Sequence, residues 1–397
     1  MNNFEEKHLK RSFKFLQFEA VITSLMITMP VINLLFYDIG MTQLQVGISQ
    51  AVFMAVALLF DVPTGWLADR YSRRVVNMSG DILAGAGLML YANANSFEVV
   101  LVSEIIVAIG LAATNGADVG LLKSYSQKLG LSYTKVNARL SAIKPVAMIV
   151  GVLVAGWLGA SNIRWPFYVS AGFFFLGAIV SIFIIEVGER RKSDKHPIRD
   201  MIDIGRFTFS GHEKLRWRVL TGVFTGNLTH TMAFILGPVF LFAGYAPEML
   251  GFIWAVTWAA NSIGALLARR LHESLSVIQQ VTIPVVLVFA SYAILGISIN
   301  EITAWAFVVF NLAFGWYTAL IGPLIQQSSP NDIQSTVISF STVVRRLFYI
   351  PLVIIINGLA SIDLRYAMIG SLVIYGLFFS IIIKGLLRTE RSATIKV

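Results

Sequence analysis

Cysteine is absent from the 397 residues of this sequence. Its absence excludes disulfide bonds, a thiol nucleophile and any metal site built from cysteine. Charged residues are also scarce, at 13% of the chain against about 25% in an ordinary soluble domain. Apolar residues make up 56% of the sequence, including 28 phenylalanines. This composition predicts a protein of the membrane rather than a water-soluble one.

Motifs that mark enzymes and nucleotide-driven pumps are missing as well. The sequence contains no His-Glu-x-x-His pair, no Gly-x-Ser-x-Gly elbow and no phosphate-binding Gly-Lys-Ser/Thr run. We therefore expect no enzyme activity, no catalytic residue, no metal site and no cofactor. The net charge of +9 would suggest a nucleic-acid partner in a soluble protein. Here the basic residues follow the connections between apolar segments, so no nucleic-acid partner is expected.

Long apolar segments recur along the whole chain. Twelve of them are long enough to cross a hydrocarbon core of about 30 Å. They lie near 13–36, 43–68, 75–95, 97–122, 137–160, 165–187, 217–243, 248–271, 277–298, 302–327, 334–361 and 365–387. The fold class is therefore predicted to be all-α, a multi-pass membrane protein with twelve transmembrane helices.

One long polar connector, residues 188–216, divides the chain into an N-terminal half, 1–187, and a C-terminal half, 217–397. Each half is predicted to form a six-helix bundle. Pro197 can start a helix, and Ile198, Met201, Ile202 and Phe209 would then share an apolar side. This pattern predicts an amphipathic helix on the membrane surface, with a flexible linker as the alternative.

Lysine and arginine are concentrated in alternate connections, which sets the orientation of a membrane protein. Bases cluster before the first segment, in the connections after the second, fourth, sixth and eighth, and after the last. The opposite connections carry only Arg164 and Arg365. Both termini are therefore predicted to lie in the cytoplasm.

The connection between the second and third segments carries the most specific signal in the sequence. It reads Gly65-Trp-Leu-Ala-Asp69-Arg70-Tyr-Ser72-Arg73-Arg74. This run resembles the loop signature of the major facilitator superfamily, G-x-x-x-D-R-x-G-R-R, with Ser72 in place of a glycine. The resemblance implies a secondary transporter with two pseudo-symmetric six-helix bundles.

The same resemblance implies a cytoplasmic gate built around the signature. An acid near the cytoplasmic end of the fourth helix pairs with the loop arginines in this family, so Asp118 is expected to engage Arg70 or Arg73. Asp69 is expected to meet the start of the eleventh helix, where the helix dipole favours a carboxylate. The complete set assigned to the gate is Asp61, Gly65, Asp69, Arg70, Arg73, Arg74 and Asp118.

Three acids lie within apolar segments and are candidates for proton coupling, because a buried ionisable residue in a membrane is costly. Glu19 lies in the first segment, Asp81 in the third and Glu104 in the fourth. Glu104 occupies the neighbourhood where many facilitators carry an arginine. For Glu19, an interfacial ion pair with a nearby base remains the alternative.

Basic and other polar residues within the segments are candidates for a substrate cavity. Lys144, Arg345 and Arg346 could bind an anionic substrate or balance the buried acids. His230 could instead form a hydrogen bond in helix packing. The complete set assigned to the cavity is Asn115, Lys144, Asn227, His230, Trp254, Trp258, Asn261, Tyr317, Arg345 and Arg346.

Similar glycine and proline positions recur in the two halves at an offset near 200 residues. Gly264 begins a degenerate copy of the signature, Gly315 corresponds to a glycine of the fourth segment, and Pro351 corresponds to Pro145. Common offsets of this kind indicate parallel repeats related by an axis along the membrane normal.

The sequence as a whole predicts a proton-coupled transporter of a small organic molecule in a bacterial inner membrane. The signature resembles a drug-efflux-like branch of the family, so export is preferred and a monomer is expected. The partners are then the substrate, protons and the lipid bilayer. Two alternatives stay open: a carrier of an anionic metabolite such as a carboxylate siderophore, and a membrane sensor on the same fold that transports nothing.

Overall fold

The structure, a computed structural model, describes residues 3–25, 27–187, 197–330 and 333–394. Within these ranges the regular elements are all helical. The α-helices are α1 Asn3–Ile22, α2 Ile32–Asp38, α3 Gln43–Arg70, α4 Arg73–Ala92, α5 Phe97–Lys128, α6 Tyr133–Ser161, α7 Trp165–Ile182, α8 Pro197–Ser210, α9 Glu213–His230, α10 Leu236–Phe242, α11 Leu250–Leu271, α12 Val277–Ile297, α13 Phe307–Gln326, α14 Gln334–Ile362 and α15 Leu364–Thr394. Short 3-10 turns precede α11 and α13 at Pro247–Met249 and Thr303–Ala306.

Ten of the predicted segments appear as helices long and apolar enough to cross a membrane, counted over the residues that the structure describes. The first and seventh predicted segments differ from the prediction because each is interrupted. The first consists of α1 and α2, and the seventh consists of α9 and α10.

Proline and hydroxyl side chains account for the two interruptions. Pro30 lies just before α2 and Pro238 lies in the first turn of α10, where the missing N–H of proline is tolerated. At the end of α1, the Thr23 hydroxyl donates to the Glu19 carbonyl at 2.9 Å. At the end of α9, the Thr231 hydroxyl donates to the Asn227 carbonyl at 2.9 Å. Each of these carbonyls also accepts the backbone N–H of the same threonine, so the last turns of α1 and α9 end on carbonyl groups that accept more than one hydrogen bond.

The chain divides into two compact units. The first comprises Met1–Met41, Val52–Asp194 and Pro247–Ala255, and the second comprises Thr42–Ala51, Lys195–Ala246 and Val256–Val397. The starts of α3 and α11 therefore group with the opposite half of the sequence. In the second unit, the Gln43 side chain donates to the Phe234 carbonyl at 3.0 Å and to Asn357 Oδ1 at 2.8 Å.

Glycines set the closest helix contacts in the first unit. A Cβ added to Gly110 of α5 would lie 2.5 Å from the Ala84 backbone nitrogen and 2.7 Å from the Gly80 carbonyl oxygen of α4. Such distances are too short for any residue except glycine, so α4 and α5 pack backbone to backbone.

In the second unit, glycines likewise allow a backbone-to-backbone contact between α11 and α13. A Cβ on Gly264 would overlap the Leu312 carbonyl, and a Cβ on Gly315 would overlap the Asn261 carbonyl. These are two of the glycines that the sequence comparison of the halves singled out.

Helix α8 begins at Pro197 and packs within the second unit. Ile204 is buried together with Leu215 and Val337, and the Phe209 ring lies 6.1 Å from the Phe340 ring. Ile202 is exposed. The bases at 190–192 and 195 of the predicted connector lie outside the described residues.

Candidate functional site

The signature loop in the first unit is held by a carboxylate that the sequence did not single out. Glu186, just after α7, accepts hydrogen bonds from the Arg73 and Arg74 backbone N–H groups at 3.1 and 3.0 Å. Ser72 donates to the same carboxylate and accepts from the Val75 N–H at 3.1 Å. Glu186 thus caps the start of α4, where unpaired N–H groups favour an anion.

Two signature residues form an ion pair within the loop region. Arg73 Nη2 lies 2.7 Å from Asp69 Oδ1, and the same guanidinium reaches the Ser124 hydroxyl at 2.7 Å and the Gly120 carbonyl at 3.3 Å on α5. Arg73 therefore ties α3, α4 and α5 together.

Other members of the predicted gate lie around this pair. A Cβ on Gly116 of α5 would lie 3.5 Å from the Cα atom of Gly65, an ordinary packing distance, and a Cβ on Gly65 itself would meet nothing within 4 Å. The Arg70 guanidinium lies 5.0 Å from the centre of the Trp66 ring, while Asp61 is half-buried. The Arg74 side chain donates to the Ile184 carbonyl at 3.3 Å.

Among the residues that the structure describes, no ion pair joins Asp118 to Arg70 or Arg73, so their pairing in a closed gate stays a prediction. Arg73 is occupied by Asp69 and α5 groups, whereas Asp118 interacts with the charge of Lys144. Asp118 and Lys144 line one small cavity of about 90 Å³ between α1, α5 and α6. Lys144 therefore has an acid beside it, which favours charge balance over direct substrate binding for this lysine.

Two of the three candidate proton carriers meet in the first unit. Glu19 of α1 and Asp81 of α4 are 1% and 0% exposed, and each carboxyl group lies close enough to be influenced by the other. Asn77, which is 0% exposed, lies beside Glu19. Among the described residues, no hydrogen bond of ordinary geometry reaches Glu19 Oε2, either polar atom of the Asn77 side chain or either Asp81 oxygen. These enclosed atoms form a polar cluster in apolar surroundings.

Glu104, the third candidate, lies elsewhere in the same unit. It is buried on α5 beside the Tyr91 hydroxyl of α4. The structure therefore separates Glu104 from the Glu19 and Asp81 pair.

A second polar group surrounds the break between α9 and α10 in the second unit. The Asn227 side chain donates to the Arg345 carbonyl at 3.2 Å. The His230 ring lies 5.2 Å from the Tyr349 ring and close to the charge of Arg345. The aliphatic part of Arg345 packs on Gly226, and Arg346 carries a second positive charge next to it.

The other residues predicted to line a cavity differ in burial and in contacts, and their cavity role stays a prediction. Tyr317 is 2% exposed and donates to the Val281 carbonyl at 3.2 Å, which fixes α13 to α12. The Asn261 carbonyl lies against Gly315. Trp254 is buried, Trp258 is half-buried and Asn115 is exposed.

Asn77 and Glu186 are the site residues that sequence reasoning missed. Asn77 lies four residues before Asp81, which places both on one face of a helix, so its signal was present in the sequence. Glu186 accepts its hydrogen bonds from residues more than a hundred positions earlier in the sequence, so only the tertiary fold reveals its role.

The family model of the Major Facilitator Superfamily matches residues 20–353. The quinolone resistance protein NorA of Staphylococcus aureus (strain Mu50 / ATCC 700699) is 24% identical over 199 residues, which cover 50% of this chain and 46% of that protein. Multidrug resistance protein 1 of Bacillus subtilis (strain 168) is 23% identical over 175 residues, or 43% of each chain. These matches span just under half the length of the curated relatives.

Solved transporter structures share the fold over nearly the whole chain. A point mutant of the nucleoside transporter NupG superposes with a TM-score of 0.79 at 12% identity, covering 96% of this chain and 99% of that one. A bacterial homologue of the human lysosomal transporter Spinster gives a TM-score of 0.74 at 14% identity, covering 96% and 98%. At such identities the likeness shows the fold alone.

Proposed function

Since this chain belongs to the major facilitator superfamily, we propose that it is a proton-coupled secondary transporter that exports a small organic molecule from a bacterial cell. In this proposal the chain acts as a monomer in the inner membrane. It crosses the membrane twelve times, through ten continuous helices and the two interrupted segments, and both termini lie in the cytoplasm. Energy comes from the proton gradient, and no cofactor takes part.

The proximity of two buried carboxyl groups, those of Glu19 and Asp81, carries the proposal. Two buried carboxylates side by side repel each other, so binding one proton relieves the repulsion. Asn77 supplies a neighbouring amide, and Lys144 with Asp118 supplies a second charged pair close by. Protonation therefore changes the net charge of a buried cluster at the point where α1 ends, which is the kind of event that biases a conformational equilibrium.

Export is supported by two of the similar proteins, quinolone resistance protein NorA and multidrug resistance protein 1, both of which are named for resistance. A small organic substrate such as a quinolone or another drug fits those names. The signature gate of Asp69, Arg70, Arg73 and Arg74 is retained in the proposal, with Glu186 added as its anchor.

Transport by the purified full-length protein in liposomes tests the coupling. A fluoroquinolone and a lipophilic cation serve as probes, with an imposed pH gradient as the only driving force. In Glu19→Gln and Asp81→Asn we expect gradient-driven transport to fall at least tenfold while exchange of labelled probe persists, because the amide imitates a permanently protonated acid. Glu104→Gln is the matched control and keeps gradient-driven transport. Full gradient-driven transport in both cluster variants would refute coupling through this pair.

A carrier of an anionic metabolite is the second candidate, favoured by Arg345 and Arg346 beside His230. The same liposomes discriminate the two. Counterflow of a labelled carboxylate, with indifference to lipophilic cations, would select the anion carrier. An absence of counterflow for every probe class would favour a sensor that transports nothing.

A further inference from the structure

An apolar groove runs between α9, α14 and α15 in the second unit. Its volume is about 200 Å³, and its wall includes Trp217, Phe224, Phe348, Tyr375 and Ile381, with the Asn227 side chain at one end. None of the transport steps proposed above uses it.

The groove has the length and the opening of a lipid-chain site. From Trp217 to Asn227 the helix α9 rises about 15 Å, which is half of a hydrocarbon core of about 30 Å. Phe348, Phe378 and Ile381 on its rim are 40%, 36% and 56% exposed, whereas Val223 and Phe224 on its floor are 4% and 5% exposed. The groove therefore opens to the side, where a membrane protein meets lipid.

Positive charge gathers at the Trp217 end of the groove. The Arg216 guanidinium lies 5.5 Å from the centre of the Trp217 ring. Lys384 stands on α15 one turn beyond Ile381, is exposed, and has no ion-pair partner in the part of the chain that the structure describes. Nearby bases outnumber nearby acids. Glu390 forms ion pairs with Lys214 and Arg218, and Glu213 forms ion pairs with Arg216 and Arg388.

We propose that this groove binds one anionic phospholipid, with an acyl chain along α9 and the phosphate between Lys384 and Arg216. A tryptophan beside bases is typical of the headgroup level of a membrane. The net positive charge selects an anionic headgroup over a zwitterionic one. The lipid would hold α9, α14 and α15 together along the outer side of the second unit.

Lipid retention by the full-length protein tests the site. Dioleoyl phosphatidylglycerol and dioleoyl phosphatidylcholine are titrated into detergent-solubilised protein, and bound lipid is counted by native mass spectrometry. We expect phosphatidylglycerol to bind about tenfold more tightly, with no displacement by inorganic phosphate. Equal binding of the two lipids, or displacement by phosphate alone, would overturn the proposal.

Two pairs of variants separate the headgroup from the chain. Lys384→Gln combined with Arg216→Gln should abolish the preference for phosphatidylglycerol, whereas Arg269→Gln on α11 should retain it. Ile381→Trp should block the groove with its charges intact, whereas Leu377→Trp should not, because Leu377 is 66% exposed one turn away and does not line the groove. Loss of lipid in the control variants, or its retention in both test variants, would place the lipid elsewhere.

Discussion

Ser72, the one departure from the family signature, forms hydrogen bonds with its neighbours that a glycine could not form. Where the signature has glycine, the Ser72 hydroxyl accepts from the Val75 N–H and donates to Glu186. The position therefore gives up backbone freedom and gains a helix cap. The resemblance pointed to this loop correctly, but the role of Ser72 depends on Glu186, which lies 114 residues away.

Replacing Ser72 with alanine should destabilise the protein by about 1 kcal/mol, because the N-cap of α4 and the link to Glu186 are lost together. Ser72→Gly should lower the free energy of unfolding by only a few tenths of a kcal/mol. Thermal unfolding followed by tryptophan fluorescence measures the difference. Ser132→Ala, which removes the cap of α6, is the control for a plain cap. A double-mutant cycle that finds no coupling between Ser72→Ala and Glu186→Gln would contradict this account.

At the scale of elements, ten helices were predictable because long apolar runs have few alternatives in a membrane. The two interruptions were not predicted, since hydropathy averaged over about 20 residues does not register a short break. Pro30 and Pro238 were local signals of the breaks, but their effect depends on the donors around them. In the candidate site, the sequence placed Glu19 and Asp81 inside the membrane, and only the tertiary fold shows that the two carboxyl groups lie near each other.

The contact between α11 and α13 gives a matched prediction. A methyl group on Gly315 would overlap the Asn261 carbonyl, whereas a methyl group on Gly322 of the same helix meets nothing within 4 Å. Gly315→Ala should therefore lower the melting temperature by several degrees, and Gly322→Ala should leave it nearly unchanged. The comparison requires only thermal unfolding in one detergent. Equal effects of the two substitutions would show that α11 and α13 do not approach this closely.

For the whole molecule, the distribution of bases predicts which loops face the cytoplasm. Because the chain has no cysteine, single cysteines report sidedness without background. Gln127→Cys and Glu273→Cys should be protected from a membrane-impermeant maleimide added to intact cells. Asn95→Cys and Ile302→Cys, at exposed positions between other helices, should react. Labelling of both sets, or of the first set alone, would contradict the proposed orientation.

The break after α9 has a consequence for which substitutions the protein tolerates. The Tyr375 hydroxyl donates to the Asn227 carbonyl at 2.8 Å, and the Tyr292 hydroxyl donates to the Leu228 carbonyl at 2.8 Å. Besides the Thr231 groups at the break itself, two of the donors to the end of α9 thus belong to α12 and α15. We therefore expect Tyr292 and Tyr375 to tolerate substitution as poorly as the residues at the break. Substitutions at the break should be tolerated only while both tyrosine hydroxyls remain, because a buried carbonyl without a donor is costly.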